Sequence, residues 1–199
     1  MSDGAVEESV RAAVSAARGH FRYESGHHGD LWLDLDGLLV DARRVRDWAK
    51  VLARRAGGCR PDIVCGPLTG GAFVAQFLAA ELGIGFAYAE RLKSTTGAVR
   101  YRIAGPLRTI VRGKRVLLAD DAVNAGSALT ATLTELRDHD AEPVGFASLL
   151  ALGDAATRMA RRHDLPFFAI VSLARNLWSS EECPLCRVAV PLVDRLAQS

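Results

Sequence analysis

Apolar positions along the chain fall into two alternating patterns. Five short runs are apolar at nearly every position: "DIVCG", "IGFAYAE", "RVLLAD", "VGFASLLAL" and "FFAIVSLA". Their length and the glycines and prolines that bound them predict buried strands. Between them, and just ahead of the first, apolar residues recur at helical spacing, which predicts helices over Arg43–Arg55, Gly71–Leu82, Ser127–His139 and Asp154–Arg162. Phe73, Phe77 and Leu78 are the expected anchors of the second of these. Ahead of this alternation, Val6, Val10, Ala13, Val14 and Ala17 predict one more helix, stopped by Gly19. Leu31, Leu33 and Leu35 then alternate with polar neighbours as a short strand. "RLKSTTGAVRYRI" is polar and basic, and reads as a loop or mobile hairpin.

Strands that are apolar on both faces need helices on both faces, so the pattern predicts an α/β fold with a central, mainly parallel sheet. At 199 residues one domain is expected, with its core over about 41–173. The flanking pieces, about 1–40 and 174–199, are too small to fold alone and are expected to pack together as a cap. Composition changes little in this picture. The net charge of +2 gives no basis for a nucleic-acid partner, although a local anion site remains open. No apolar run is long enough to span a membrane. The start lacks a signal-peptide pattern, and four cysteines fit a reducing compartment, so a cytoplasmic location is expected.

The candidate chemistry gathers at strand ends, where open α/β sheets bind their ligands. "VLLADDAVNAGSAL" runs from a strand into Asp120 and Asp121, and then into small residues at a helix start. Two carboxylates can accept hydrogen bonds from adjacent sugar hydroxyls or help hold a hydrated magnesium ion. Asn124, Ala125, Gly126, Ser127 and Ala128 leave backbone N–H groups uncovered, which suits a phosphate. A strand end with acidic helix caps would also place acids here. "CGPLTGGAFVA" is a second anion cradle, with Gly66 and Pro67 shaping the turn and Thr69, Gly70 and Gly71 exposing amides.

The first of these segments resembles the phosphoribosyl-pyrophosphate motif of type I phosphoribosyltransferases. That resemblance implies that Asp120 and Asp121 hold the ribose and that Ala122, Val123, Asn124, Ala125, Gly126, Ser127 and Ala128 surround the 5′-phosphate. Asn124 and Ser127 stand where threonine and glycine or threonine are commoner, and neither change removes a backbone donor. Pro67, Leu68, Thr69, Gly70 and Gly71 match the family's pyrophosphate loop, which often carries an unusual peptide conformation. "YAERLKSTTGAVRYRI" falls where the family has its flexible basic loop. Arg91, Lys93, Arg100 and Arg102 are its cations, and Arg91 and Lys93 are the ones implied to screen the leaving pyrophosphate.

"FRYESGHHGDLWLD" resembles the N-terminal segment of orotate phosphoribosyltransferases. Those enzymes have lysine before the Ser-Gly pair, where this chain has Glu24. A glutamate repels an anionic base, so a neutral, amino-bearing or specialised heterocycle is as compatible as a pyrimidine acid. Trp32 is positioned to stack on a base or to fill the core, and Glu24 and Trp32 are the implied base-contacting residues. The resemblance implies transfer of a phosphoribosyl group from phosphoribosyl pyrophosphate to a nucleobase, with magnesium, in a homodimer. The rival is a regulatory protein that binds phosphoribosyl pyrophosphate or a nucleotide without turnover, motivated by Glu24 and the altered basic loop.

The tail "LWSSEECPLCRVAVPLVD" holds a CxxC pair, Cys183 and Cys186. Two thiolates are half of a closed zinc site. His27 and His28 could complete it if the cap meets the tail. With nothing in the sequence to establish that contact, an inert or structural pair is the expectation, and zinc is not an expected cofactor.

Overall fold

A computed structural model describes residues 2–23, 26–35, 37–93 and 99–194. The chain opens with helix α1 (Asp3–Ala12), whose first turn is capped by the Ser2 hydroxyl accepting from the Ala5 amide at 3.3 Å. Strands β1 (Ser15–Arg22) and β2 (His28–Asp34) follow, and then helix α2 (Ala42–Ala56), capped by Asp41. The core continues through β3 (Ile63–Pro67), α3 (Gly70–Leu82), β4 (Gly85–Lys93), β5 (Val99–Ile103), α4 (Gly105–Val111) and β6 (Arg115–Val123). It ends with α5 (Ser127–Asp138), β7 (Glu142–Leu152), α6 (Ala155–Arg162) and β8 (Phe167–Leu173), before a tail of β9 (Leu177–Trp178) and α7 (Pro184–Arg187).

Six strands form the main sheet in the order β5-β4-β3-β6-β7-β8, and only the β4–β5 pair is antiparallel. Alternation along β6 divides the core. Leu117 and Ala119 join the apolar cluster formed with α1, α2 and α3, whereas Val116 and Leu118 join the cluster of α5 and α6. Trp48 of α2 is fully buried in the first cluster, and its indole N–H donates to Ser9 Oγ at 3.3 Å, which fastens α1 to α2. Each fully buried large side chain of this kind contributes roughly 1.5–3 kcal/mol.

The second sheet, β1-β2-β9, is antiparallel and takes strands from both chain ends. It is the cap, and it corrects one expectation. The helix read through Ala17 stops at Ala12, and Ser15–Arg22 is a strand. The pairing of Ala17 with Trp32 and Arg18 with Leu31 outweighs the helical preference of an alanine-rich stretch. The basic segment is a hairpin of β4 and β5, with Arg91 opposite Tyr101. Helix α4 has no counterpart in the predicted elements. Among the described residues no helix is long and apolar enough to cross a membrane.

The order of the main sheet fixes where a ligand can go. From β3 the chain crosses through α3 to β4 on one side, and from β6 it crosses through α5 to β7 on the other. The two helices lie on opposite faces. Adjacent parallel strands whose connections diverge leave a crevice at their carboxyl ends.

Candidate active site

That crevice brings the two glycine-bearing segments together. Gly71, at the start of α3, lies against Asp120, and an added Cβ would stand 2.7 Å from Asp120 Oδ1 and 2.9 Å from the Ala119 carbonyl oxygen. A Cβ on Gly70 would overlap the Asp121 carboxylate, and one on Gly66 would overlap the Gly71 carbonyl. The turn therefore reaches the acids only because these positions carry no side chain. Leu68–Thr69, in the same turn, is a cis peptide bond, the unusual conformation expected at this position.

Asp120 and Asp121 both lie inside β6, which runs to Val123 rather than ending at the acids. Asp120 Oδ1 accepts from the Asp121 amide at 3.1 Å, and Asp121 Oδ1 from the Ala122 amide at 2.8 Å. Asp120 is buried and Asp121 half-buried. Burial, and then the neighbouring Asp121 carboxylate, pushes the Asp120 carboxyl well above the usual carboxylate range. A cation or a set of hydroxyl donors beside it would relieve that cost.

Beyond the acids the chain turns through Asn124 and Ala125, both exposed, to Gly126 at φ 78°. The positive φ favours glycine, and a Cβ there would stand 2.5 Å from Met159 Sδ of α6. The leading amides of α5 carry no side-chain cap among the described residues.

Among the described cations of the hairpin, Arg91 shares a neighbour, Tyr101, with Asp120. Burial pushes the Tyr101 hydroxyl above the usual phenol range, with Arg91 pulling it back and Asp120 adding to the rise. Arg102 is paired with Glu90 at 3.2 Å, and Arg100 lines a groove against α5 with Thr134 and Asp138. The side chain of Lys93 lies outside the described residues, as does Glu24.

The cap closes over the loop after β6. A cavity of about 170 Å³ lies between Tyr23, Leu31 and Trp32 of the cap and Ala122, Asn124 and Leu152 of the core. Tyr23 and Trp32 stack with ring centroids 6.1 Å apart and planes 7° apart, and the Tyr23 hydroxyl donates to the Leu31 carbonyl. Gly29 leaves the space that Tyr23 fills, since a Cβ there would stand 2.6 Å from the Tyr23 ring. Arg175 lies over Tyr23 at 5.2 Å, and its buried Nε has no hydrogen-bond partner among the described residues. Arg175 also borders a second cavity of about 490 Å³ with Ala125, Asp154, Arg158 and Arg162. Neither acid lines these two cavities; both carboxylates meet the turn at residues 70–71.

The structure thus brings together Asp120, Asp121, the turn at Pro67–Gly71, the loop over residues 122–128 and Arg91, with Trp32 across the loop in the cap. Three residues of the site escaped sequence reasoning. Tyr101 sits in an alternating strand where only the arginines drew notice. Tyr23 was visible only as an aromatic before a Ser-Gly pair. Arg175 is a lone cation after a strand, with no local pattern to mark it.

Such a site, on this sheet, defines a class of protein. The phosphoribosyl transferase domain model matches residues 39–182, and the chain belongs to that family. It is a phosphoribosyltransferase, a pentosyl-transferring enzyme acting on a nucleobase. The orotate phosphoribosyltransferase of Wolinella succinogenes is 29% identical over 194 residues, covering 92% of this chain and 91% of the relative. A phosphoribosyltransferase from Corynebacterium diphtheriae has a similar structure, with a TM-score of 0.65, 26% identity and coverage of 85% of this chain and 95% of that one. The adenine phosphoribosyltransferase of Rhodothermus marinus shares the fold, with a TM-score of 0.66 and 18% identity over 85% of this chain and 99% of that one.

Proposed function

We propose that the crevice between β3 and β6 binds phosphoribosyl pyrophosphate and that the cavity under the cap receives the base. Asp120 and Asp121 accept from the ribose hydroxyls. The amides from Ala122 to Ala128 hold the 5′-phosphate, with Ser127 as an added donor. The turn from Pro67 to Gly71 holds the pyrophosphate, and Arg91 with Lys93 screens its charge as it leaves. The observation that carries this reading is the packing of Gly70 and Gly71 directly on the two acids, which puts sugar acceptors and anion donors within one ligand's length.

As the C1–oxygen bond to pyrophosphate breaks, positive charge spreads over C1 and the ring oxygen, and a ring nitrogen of the base forms the new bond. The residues act by positioning and by charge, and no side-chain nucleophile is needed. The paired carboxylates are hard oxygen donors, and a dication would offset the burial and like charge that raise Asp120, so the donor set fits magnesium. Magnesium, when bound with the donor, supplies charge neutralisation on the pyrophosphate.

Trp32 and Tyr23 offer the base an aromatic wall, and Arg175, which lines the same cavity, carries guanidinium donors suited to an exocyclic oxygen. This favours a pyrimidine-like or related oxygenated heterocycle. Glu24 lies outside the described residues and stays a candidate base contact by sequence. A cytoplasmic homodimer is proposed from the family resemblance. The test is pyrophosphate release by the full chain with magnesium, phosphoribosyl pyrophosphate and a panel of pyrimidines, purines and related heterocycles. One base should support turnover, and failure of every base would overturn the proposal.

A further inference from the structure

Four potential metal ligands from three separate segments converge in the cap, away from the crevice. His20 of β1, His28 of β2, and Cys183 and Cys186 at α7 place one ligand atom each within 4.8 Å of all the others. His20 Nε2 stands 3.1 Å from His28 Nδ1, 3.3 Å from Cys183 Sγ and 3.7 Å from Cys186 Sγ, and Cys186 Sγ stands 3.2 Å from His28 Nδ1. His20, His28 and Cys183 are buried. We propose that these four residues form a closed, tetrahedral zinc site that pins the C-terminal tail to the cap sheet.

The geometry is that of a set of ligands around one ion. With zinc bond lengths of about 2.0–2.1 Å to nitrogen and 2.3 Å to sulfur, tetrahedral ligands stand about 3.3–3.8 Å apart. These four separations lie at or within a few tenths of an ångström of that range, and the other two pairs lie within 4.8 Å. The outer partner is also in place. His20 Nδ1 lies 2.8 Å from the Val190 carbonyl oxygen, which can only accept. The proton therefore sits on Nδ1, and the lone pair of Nε2 points at the cluster, as an imidazole ligand requires. Two nitrogen and two sulfur donors select zinc among common divalent ions, and two thiolates cancel its charge, which suits burial. Binding sends two thiol protons to solvent and leaves both imidazoles neutral.

The tail needs such a fastening. β9 pairs with β2 at only two positions, and α7 has four residues, too few to persist alone. The chain beyond α7 returns to β1 through Val193, whose amide donates to the His20 carbonyl at 2.8 Å, yet Val188, Val190 and Leu192 are exposed. An appendage without a core of its own is held by a cross-link or a metal. The expected partners of the CxxC pair are corrected accordingly. His28 belongs to the set, and His20 takes the place given to His27, which lines the larger cavity instead.

The test uses the full chain purified without a polyhistidine tag. Elemental analysis should find one zinc per chain. Exchange with cobalt should produce the visible bands of a tetrahedral ion with thiolate ligands. Cys186→Ser should weaken zinc retention more than about 100-fold, beyond the effect of losing an outer partner, whereas Cys65→Ala, outside the cluster, should leave it unchanged. A chain that carries no zinc, shows no thiolate–cobalt spectrum and titrates both thiols freely overturns the proposal, as does a Cys183–Cys186 disulfide. If a variant does not fold, the metal content and cobalt spectrum of the unaltered chain still decide.

Discussion

The backbone of Gly70 is pressed against Asp121 so closely that a Cβ added to it would stand 2.5 Å from the carboxylate carbon. Only a glycine lets the turn after β3 share space with the acids inside β6. Gly70→Ala should displace Asp121 while leaving the fold in place, because the obstacle is a side chain rather than backbone. A displacement of about 1 Å at a reacting site costs on the order of 100-fold, so kcat/KM should fall by about that factor with little change in Tm. Gly57→Ala is the control, since nothing lies within 4 Å of a Cβ there and φ is −58°. Its activity should be unchanged.

Asp120 bears a cost in the free protein. Burial and the Asp121 charge raise its carboxyl above the unfolded value. The proton is therefore held more tightly in the native state. Stability from this group is fully present below the unfolded pKa and is lost as pH rises through the higher native pKa. Asp120→Asn does not titrate, so the variant should gain on the wild type as pH rises above the ordinary carboxylate range. Thermal unfolding over that rise, without ligands, measures the gap. Each kcal/mol appears as about 2–4 °C in a chain of this size. The same variant should lose transferase activity.

Trp32 stands across the small cavity from Ala122 and Asn124. Base–aromatic stacking contributes about 1–3 kcal/mol per base. Trp32→Ala should therefore raise the KM for the base by about 10-fold or more and change that for phosphoribosyl pyrophosphate by less than about threefold. Initial-rate kinetics with each substrate varied in turn separates the two.

Arg175 lines the same cavity and brings a guanidinium donor to it. A hydrogen bond from a charged donor contributes about 1.5–3 kcal/mol. Arg175→Gln should weaken the preferred base by about 10- to 100-fold and compress its advantage over bases that lack an exocyclic oxygen at that position. Competition between base pairs in one reaction reads this directly.

The core of the fold was legible because its signals are local and redundant. Five apolar runs, each closed by turn residues, leave few arrangements other than a covered parallel sheet, and "LLADD" followed by small residues marks a strand entering an anion loop. The cap was legible only in outline. Its first strand is rich in alanine and carries helical spacing, and only pairing with β2, which sequence does not display, makes it a strand. The same error hid His20, whose place on β1 beside His28 depends on the register of that pairing. Arg175 reaches its cavity because β8 ends under the cap, a tertiary fact with no trace in the neighbouring residues.

The central claim is that Asp120 and Asp121, with the two loops beside them, are the phosphoribosyl pyrophosphate site. Isothermal titration of phosphoribosyl pyrophosphate with magnesium into the full chain tests it most directly. The wild type should bind one molecule per chain, and the Asp120→Asn/Asp121→Asn variant should bind at least about 100-fold more weakly, from loss of two charge-assisted acceptors. Equal affinity in a folded double variant would contradict the account.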